Sequence, residues 1–242
     1  MISVCIATYN GARFVREQIA SILGELGPLD EVIVCDDGST DETIAILKNF
    51  LDQRIQIHNN PLRLGHVRNF EKALILARGE HIFLADQDDI WIQGRVAAMV
   101  KALESCGGTL LVASNFDLID ENGMPVGAFR KLGPVRKSKI GQVVAIFAGR
   151  SPYFGCTFLM NRHCLNSCLP IPENVESHDI WIALVASVFG KVVNLPNATL
   201  LHRIHGSNMT TPTRRRLGTI AQSRWVFFKS LIVRIARKPQ PL

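Results

Sequence analysis

The stretch His81-Ile82-Phe83-Leu84-Ala85-Asp86-Gln87-Asp88-Asp89-Ile90-Trp91 runs from an apolar segment straight into three carboxylates. Ile82 to Ala85, without a polar break, reads as a buried strand, so the acids fall at its C-terminal end, the edge at which open α/β sheets bind ligands. Carboxylates gathered at such an edge call for a counter-charge. Mg²⁺ or Mn²⁺ supplies one, because these ions take hard oxygen ligands, are held by one or two carboxylates, and share their other positions with water and substrate phosphates. A solvated Asp-rich turn capping the next helix explains the same letters equally well. The neighbouring segments must decide.

Working outward, short apolar β-branched runs alternate with longer helical patterns, the signature of βαβ units. The spacing predicts strands over 2–8, 31–36, 54–58, 81–85 and 109–114, with helices near 12–24, 41–51, 65–78 and 93–105. Ile44, Ile46, Leu47 and Leu51, and then Phe70, Ala73, Leu74 and Ala77, recur at helical intervals. The expected class is α/β, a mostly parallel sheet flanked by helices. Beyond residue 115, Glu121-Asn122-Gly123 reads as a hairpin turn, followed by a helix near 179–189 and short strands near 191–202 that complete the same sheet. Residues 1–211 form one domain in this reading, and 212–242 a basic tail.

With 242 residues, 47% of them hydrophobic, the chain can bury a sizeable core and is too apolar for disorder. Its six cysteines show no CxxC pair, and Cys5 and Cys35 sit inside apolar runs as small hydrophobes, so a reducing, cytoplasmic setting is expected. His163, Cys164 and Cys168 lack a fourth partner for zinc. The start Met1-Ile2-Ser3-Val4 has no basic leader, and no stretch reaches the roughly 18 uninterrupted apolar residues of a membrane span, so neither export nor spanning is expected. The net charge is +6, concentrated in the tail. No nucleic-acid partner is expected, and homo-oligomerisation is left open.

Three strand ends then converge on one rim: Thr8-Tyr9-Asn10-Gly11, Asp36-Asp37-Gly38-Ser39-Thr40-Asp41, and Asp86 to Asp89. Singly, Asn10-Gly11 is a turn and Ser39-Thr40-Asp41 a helix cap. Together, a Ser/Thr/Asn loop, acids able to bind ribose hydroxyls and base edges, and a metal-binding acid cluster make a nucleoside-diphosphate site.

VCIATYN (Val4–Asn10), VIVCDDGSTD (Val32–Asp41), LGHVRN (Leu64–Asn69) and FLADQDDIW (Phe83–Trp91) resemble, in order and spacing, the pattern of glycosyltransferase family 2 over roughly residues 1–210. The resemblance implies a GT-A, Rossmann-like fold, a nucleotide-sugar donor, a divalent metal and, for most members, inversion at the anomeric carbon. It carries Thr8, Tyr9 and Asn10 to the donor loop, Asp37 to the base or ribose, and Arg68 to the cation facing the nucleotide. Asp86 resembles the acid that touches sugar or ribose, with Gln87 beside it in the donor set, and Asp88 the metal ligand. Asp89 extends the motif and serves the following helix. Asp86 and Asp88, alternating on a strand end, can share a face.

Two further clusters lie in the second half. Glu176-Ser177-His178-Asp179-Ile180-Trp181 resembles the family's catalytic-base position, where an inverting enzyme needs a carboxylate to take the acceptor proton. Relatives carry paired acids there, whereas this chain has His178 before Asp179, so Asp179 is the expected base. The other reading is that Ser177 or Asp179 only caps a helix. His205-Gly206-Ser207-Asn208 resembles a loop near the donor diphosphate, with His205 expected on the metal or the leaving group. His202, Arg203 and His205 would gather positive charge there.

From Leu217 to Arg237 the tail reads as a basic amphipathic helix suited to an anionic membrane surface, or to packing on protein or a second subunit. The reading as a whole is an inverting, metal-dependent glycosyltransferase, rhamnosyltransferase-like in its DQDDIW motif. Its donor is a nucleotide-diphosphate sugar and its acceptor a saccharide or lipid-linked precursor of a cell-surface polysaccharide, and it works in the cytoplasm or peripherally on the inner face of the membrane. The alternatives are a non-catalytic nucleotide-sugar-binding scaffold and a nucleotidyltransferase, the latter lacking its usual Gly-rich basic phosphate loop.

Overall fold

Four of the apolar runs become parallel neighbours: β1 (Ile2–Thr8), β2 (Glu31–Asp36), β3 (Ile55–Asn59) and β4 (His81–Ala85). The computed structural model describes residues 1–136, 138–206 and 217–237. Helices α1 (Val15–Leu23), α2 (Thr43–Lys48) and α3 (His66–Leu76) make the crossovers. β2 is buried along its whole length because helices cover both faces of the sheet. Alternation along β1 sorts its side chains between two cores. Val4 and Ile6 pack with Val15, Ile19 and Ile22 of α1, whereas Cys5 packs with Phe70 and Leu74 of α3. The helices are shorter than the spacing predicts. Leu51, expected on a helix face, lies past the end of α2 at positive φ and is 93% exposed.

After β5 (Ile90–Trp91) and α4 (Arg95–Glu104) the pattern changes. β6 (Thr109–Ile119) runs five residues beyond the predicted strand, and the Asp120–Gly123 turn brings Pro125 back against Ile119. Then come α5 (Lys139–Phe147), β7 (Phe158–Asn161), α6 (Arg162–Cys168), α7 (His178–Phe189), β8 (Lys191–Arg203) and α8 (Leu217–Arg237). The periodicity did not predict α5, β7 or α6. Residues 191–203 form one long strand instead of several short ones, with its irregularities taken up by shifts in register against β6.

The eight-stranded sheet has the order β3-β2-β1-β4-β7-β6-β8-β5, with β7 antiparallel to both β4 and β6. The fold is therefore mixed α/β, parallel over its first half. Pairing of Thr8 with Asp36 and of Ile6 with Ala85 brings the loops after β1, β2 and β4 to a common edge. The tail is no separate appendage over its described part, because Phe227 and Leu231 of α8 are buried in the core that holds Trp181 of α7. Residues 212–216 and 238–242 lie outside the described set. Among the described residues no helix is long and apolar enough to cross a membrane.

Candidate active site

The rim loops are tied to one another before they are available to anything else. Thr8 Oγ1 donates to Asp36 Oδ2 (2.8 Å), and the same carboxylate accepts from Ser39 Oγ and the Ser39 and Gly38 amides. Asn10, at φ 49°, accepts from the Thr40 amide through Oδ1 and donates its own amide to Ser39 Oγ. Gln87 brackets Tyr9, accepting from its amide at 2.9 Å and donating to its carbonyl at 3.2 Å. Thr8 therefore orients the Asp36 carboxylate, and Asn10 and Gln87 hold the backbone of the facing loops.

These loops border a cavity of about 590 Å³ lined by Thr8, Tyr9, Asp37, Arg63, His66, Asp86, Gln87, Asp88, Gly155, His178, Asp179 and His202, with neighbours from the same loops. Asp37, nearly buried, accepts from the Leu64 and Gly65 amides (2.6 and 2.9 Å) and from Asn60 Nδ2. It thereby ties the 60–65 loop to the end of β2, beside the cavity. Arg63 lies with its guanidinium 3.8 Å from the Tyr9 ring centre. Arg68 does not line the cavity. Its guanidinium is spent on Glu71 and on the carbonyls of Ile171 and Pro172, so it clips α3 to the segment before α7. Among the described residues a guanidinium that borders the cavity beside Tyr9 is that of Arg63, five residues earlier.

At the end of β4, burial and the neighbouring Asp89 and Asp88 charges push the Asp86 carboxyl well above the usual range. Asp88 is raised for the same reasons, burial first and then Asp89, with His205 opposing. Asp88 Oδ2 and His205 Nε2 stand 2.8 Å apart. Cis donors in a near-octahedral shell with bonds of about 2.1 Å stand about 3 Å apart, so these two residues fit one edge of a Mg²⁺ or Mn²⁺ shell. The crowding of negative charge that raises Asp86 and Asp88 is what a divalent cation relieves.

Asp89 does not serve a following helix, because β5 follows it and α4 begins only at Arg95. It is fully buried and accepts from the Arg203 amide, and its Oδ1 lies 2.8 Å from His202 Nδ1. Burial works against a charge on His202, yet Asp89, Asp86 and Asp88 push its pKa up to about 9, so a cation faces the cavity at neutral pH. Arg203 is not part of that positive face. Its guanidinium reaches Glu17 and the backbone carbonyls of Asp88 and Asp120, bracing the acid loop from behind. Asp89, Cys156 and His202 bring one donor atom each to within 4.8 Å of one another. Asp89 Oδ1 is already committed to His202 and Arg203, and the buried Arg95 cation adjoins the set, so the cluster reads as a charge network. Ser207 and Asn208 lie outside the described residues.

The opposite wall comes from α7. Ser177 caps the helix through the Ile180 amide, which leaves Asp179 in the first turn and on the cavity. Burial raises the Asp179 carboxyl, but the His178 imidazole and the Gly155 amide outweigh it and hold the group below the usual carboxylate range. His178 Nε2 is 2.6 Å from Asp179 Oδ1. The His178 ring stacks on Phe70 (4.3 Å) and meets His66 (4.9 Å). A side chain at Gly155 would place its Cβ 2.7 Å from Asp179 Oδ1 and 2.8 Å from His178 Nε2, so only glycine admits this pair. Gly155, His66 and Arg63 went unread in the sequence. Gly65 at φ 81° marks the loop that delivers His66, while nothing local marks Gly155.

The mixed α/β sheet thus brings an acid-tipped fourth strand and a second acid from a later helix onto one cavity. The sequence profile described as Glycosyl transferase family 2 matches residues 3–160. The chain belongs to this family and is a glycosyltransferase. It is 25% identical over 186 residues, 76% of this chain and 70% of the relative, to the UDP-Glc:alpha-D-GlcNAc-diphosphoundecaprenol beta-1,3-glucosyltransferase WfgD of Escherichia coli. The fold superposes on S. aureus TarS 1–349, solved in complex with UDP-GlcNAc, with a TM-score of 0.74 at 17% identity, covering 99% of this chain and 68% of TarS 1–349. It also superposes on the mannosyltransferase PcManGT of Pyrobaculum calidifontis, solved with GDP-Man and Mn²⁺, with a TM-score of 0.63 at 17% identity, covering 100% and 65% of the two chains. The GT-A expectation for the fold holds.

Proposed function

We propose that this glycosyltransferase takes a sugar from a nucleoside-diphosphate donor and inverts its anomeric carbon. The acceptor in this reading is a saccharide or lipid-linked precursor of a cell-surface polysaccharide, met peripherally on the cytoplasmic side of the membrane. The observation that carries it is the shared cavity: Asp86 and Asp88 enter from the end of β4 and Asp179 from the start of α7. Tyr9, with Arg63 over its ring, and Asp37 border the side where the nucleoside would sit, and Asp86 the sugar or ribose. Asp88 and His205 would hold Mn²⁺ or Mg²⁺, which when bound supplies Lewis-acid stabilisation of the diphosphate charge.

Asp179 is ionised at neutral pH and takes the proton of the acceptor hydroxyl as that oxygen attacks the anomeric carbon. The bond from that carbon to the diphosphate oxygen breaks, and its electron pair leaves with the diphosphate. His202 supplies positive charge on that side. Gly155 and His178 hold the Asp179 carboxylate in one orientation, which is the geometric part of the catalysis. The WfgD name carries a UDP-glucose donor and a diphosphoundecaprenol-linked acceptor, and the two structural neighbours were solved with UDP-GlcNAc and GDP-Man. They support the donor class and leave the sugar unassigned. A scaffold subunit would not need Asp86, Asp88 and Asp179 together on one cavity.

The test is thermal shift with UDP-glucose, UDP-GlcNAc, GDP-mannose and a deoxythymidine-diphosphate rhamnose in the presence of Mn²⁺, followed by transfer to a GlcNAc-diphosphoundecaprenol analogue. One donor should stabilise the chain by mass action and be turned over. A chain stabilised by none of them, or an Asp179→Asn variant that transfers at the wild-type rate, overturns the reading.

A further inference from the structure

Helix α8 has two apolar faces, and among the described residues only one is covered. Phe227 and Leu231 are buried, Ser223 Oγ donates to Glu176, and Arg234 donates to the carbonyls of Leu169 and Pro170 with its guanidinium 5.6 Å from the Trp181 ring. On the far side Trp225, Phe228, Ile232 and Ile235 follow at intervals of three, four and three, which places them in one stripe along the helix. Each of the four is between 44% and 55% exposed. The Trp225 and Phe228 rings stack at 5.8 Å, and the Lys229 ammonium lies 5.0 Å from the Trp225 ring, so the stripe carries its cation at its edge.

Charge identifies what would cover this stripe. Residues 207–242 contain eight Lys and Arg and no Asp or Glu, which leaves the rest of the chain at −2; of the eight, Arg234 is turned inward and Lys229 borders the stripe. A second copy docked stripe to stripe would set like charges against one another. An anionic bilayer accepts both parts at once, the aromatic and aliphatic side chains in the headgroup boundary and the cations against lipid phosphates.

We propose that the Trp225–Phe228–Ile232–Ile235 face of α8 lies in the headgroup region of an anionic membrane. The Ser223–Glu176 hydrogen bond joins the helix to the segment three residues before Asp179. Docking would thus set the acceptor wall of the cavity next to the lipid surface, a purpose that rests on the lipid-linked acceptor reading.

Flotation of the full chain with vesicles of phosphatidylglycerol and phosphatidylcholine, against phosphatidylcholine alone, tests the surface. The chain should float with the anionic vesicles and its tryptophan emission should shift to the blue. Trp91 and Trp181 are already buried, so Trp225 would carry that change. The triple variant W225S/F228S/I232S should weaken vesicle affinity by about tenfold or more while keeping the thermal shift with UDP-glucose and Mn²⁺ of the unmodified chain. No retention on anionic vesicles, retention untouched by the triple variant, or a dimer in sedimentation that the variant dissolves overturns the proposal. Loss of every nucleotide-sugar response with vesicle binding intact would instead strike the transferase reading and leave the membrane surface standing.

Discussion

The two halves of the sheet build their parts of the cavity in different ways. In β1 to β4 the strands are parallel, so each C-terminal end reaches the same edge and delivers its loop there: Tyr9 after β1, Asp37 after β2, Asp86 and Asp88 after β4. In the second half β7 runs antiparallel between β4 and β6, and the wall is made by the entry to β7, the start of α7 and the end of β8. Parallel topology distributes one motif per strand. Mixed topology gathers Gly155, Asp179 and His202 from segments with no common spacing.

If the second half supplies the base and the first half the donor site, Asp179→Asn should lower kcat by on the order of 10⁴ and leave the nucleotide Kd unchanged. Separate measurement of single-turnover rate and nucleotide affinity checks this, and a change in affinity alone would erase the division. Asp88→Asn should cost on the order of 10³ in kcat/KM and abolish the dependence of rate on added Mn²⁺. Activity unaffected by EDTA would remove the ion from the reaction.

Gly155→Ala sharpens the comparison further, because the added methyl meets the Asp179 carboxylate and not the donor loops. The expected loss is about 10² in kcat with KM for the donor retained, since a misplaced base costs orientation and not binding. Full activity in this variant would mean that α7 moves freely.

One contact across the two halves, that of His66 on α3 with His178 on α7, should be sensitive to pH. Burial, with His178 nearby, pushes His66 down to about 4, against about 6.5 for an unfolded histidine. Between those values the unfolded chain binds the extra proton, so the stability His66 provides is present above about pH 6.5 and lost as the pH falls toward 4. Denaturant titrations over this window should show up to about 3 kcal/mol more acid loss in the wild type than in His66→Gln. Parallel curves would separate His66 from that pH dependence.

Arg68→Ala should have the smallest effect on chemistry. Losing its bonds to Glu71 and to the Ile171 and Pro172 carbonyls should cost about 2 kcal/mol of stability and leave the donor KM unchanged. A raised KM with unchanged stability would return Arg68 to the donor site.

Much of the first half was legible because local pattern and tertiary placement coincide there. Uninterrupted apolar runs mark the buried parallel strands, and the polar letters that end each run are the rim. Arg68, expected at the nucleotide, turns instead onto Glu71 and the Ile171 and Pro172 carbonyls, because a sequence motif says that a cation is near and not which way a helix turns it. β7 escapes the sequence pattern because it is four residues long and owes its existence to pairing with β4 and β6, contacts distant in the chain. Asp89, expected at a helix start, faces inward to His202 more than a hundred residues away.

From the sequence alone came the class of fold and the acid-tipped fourth strand, because alternation and run length are local properties of the chain, while Asp179 was singled out by resemblance to the family's pattern. Tertiary structure alone decided that Arg63 and not Arg68 borders the cavity beside Tyr9, that glycine at 155 makes room for the His178–Asp179 pair, and that α8 hides one apolar face and, among the described residues, presents the other. Those outcomes depend on which surfaces meet across the sheet, and burial, ion pairing and steric room are set between elements, not within them.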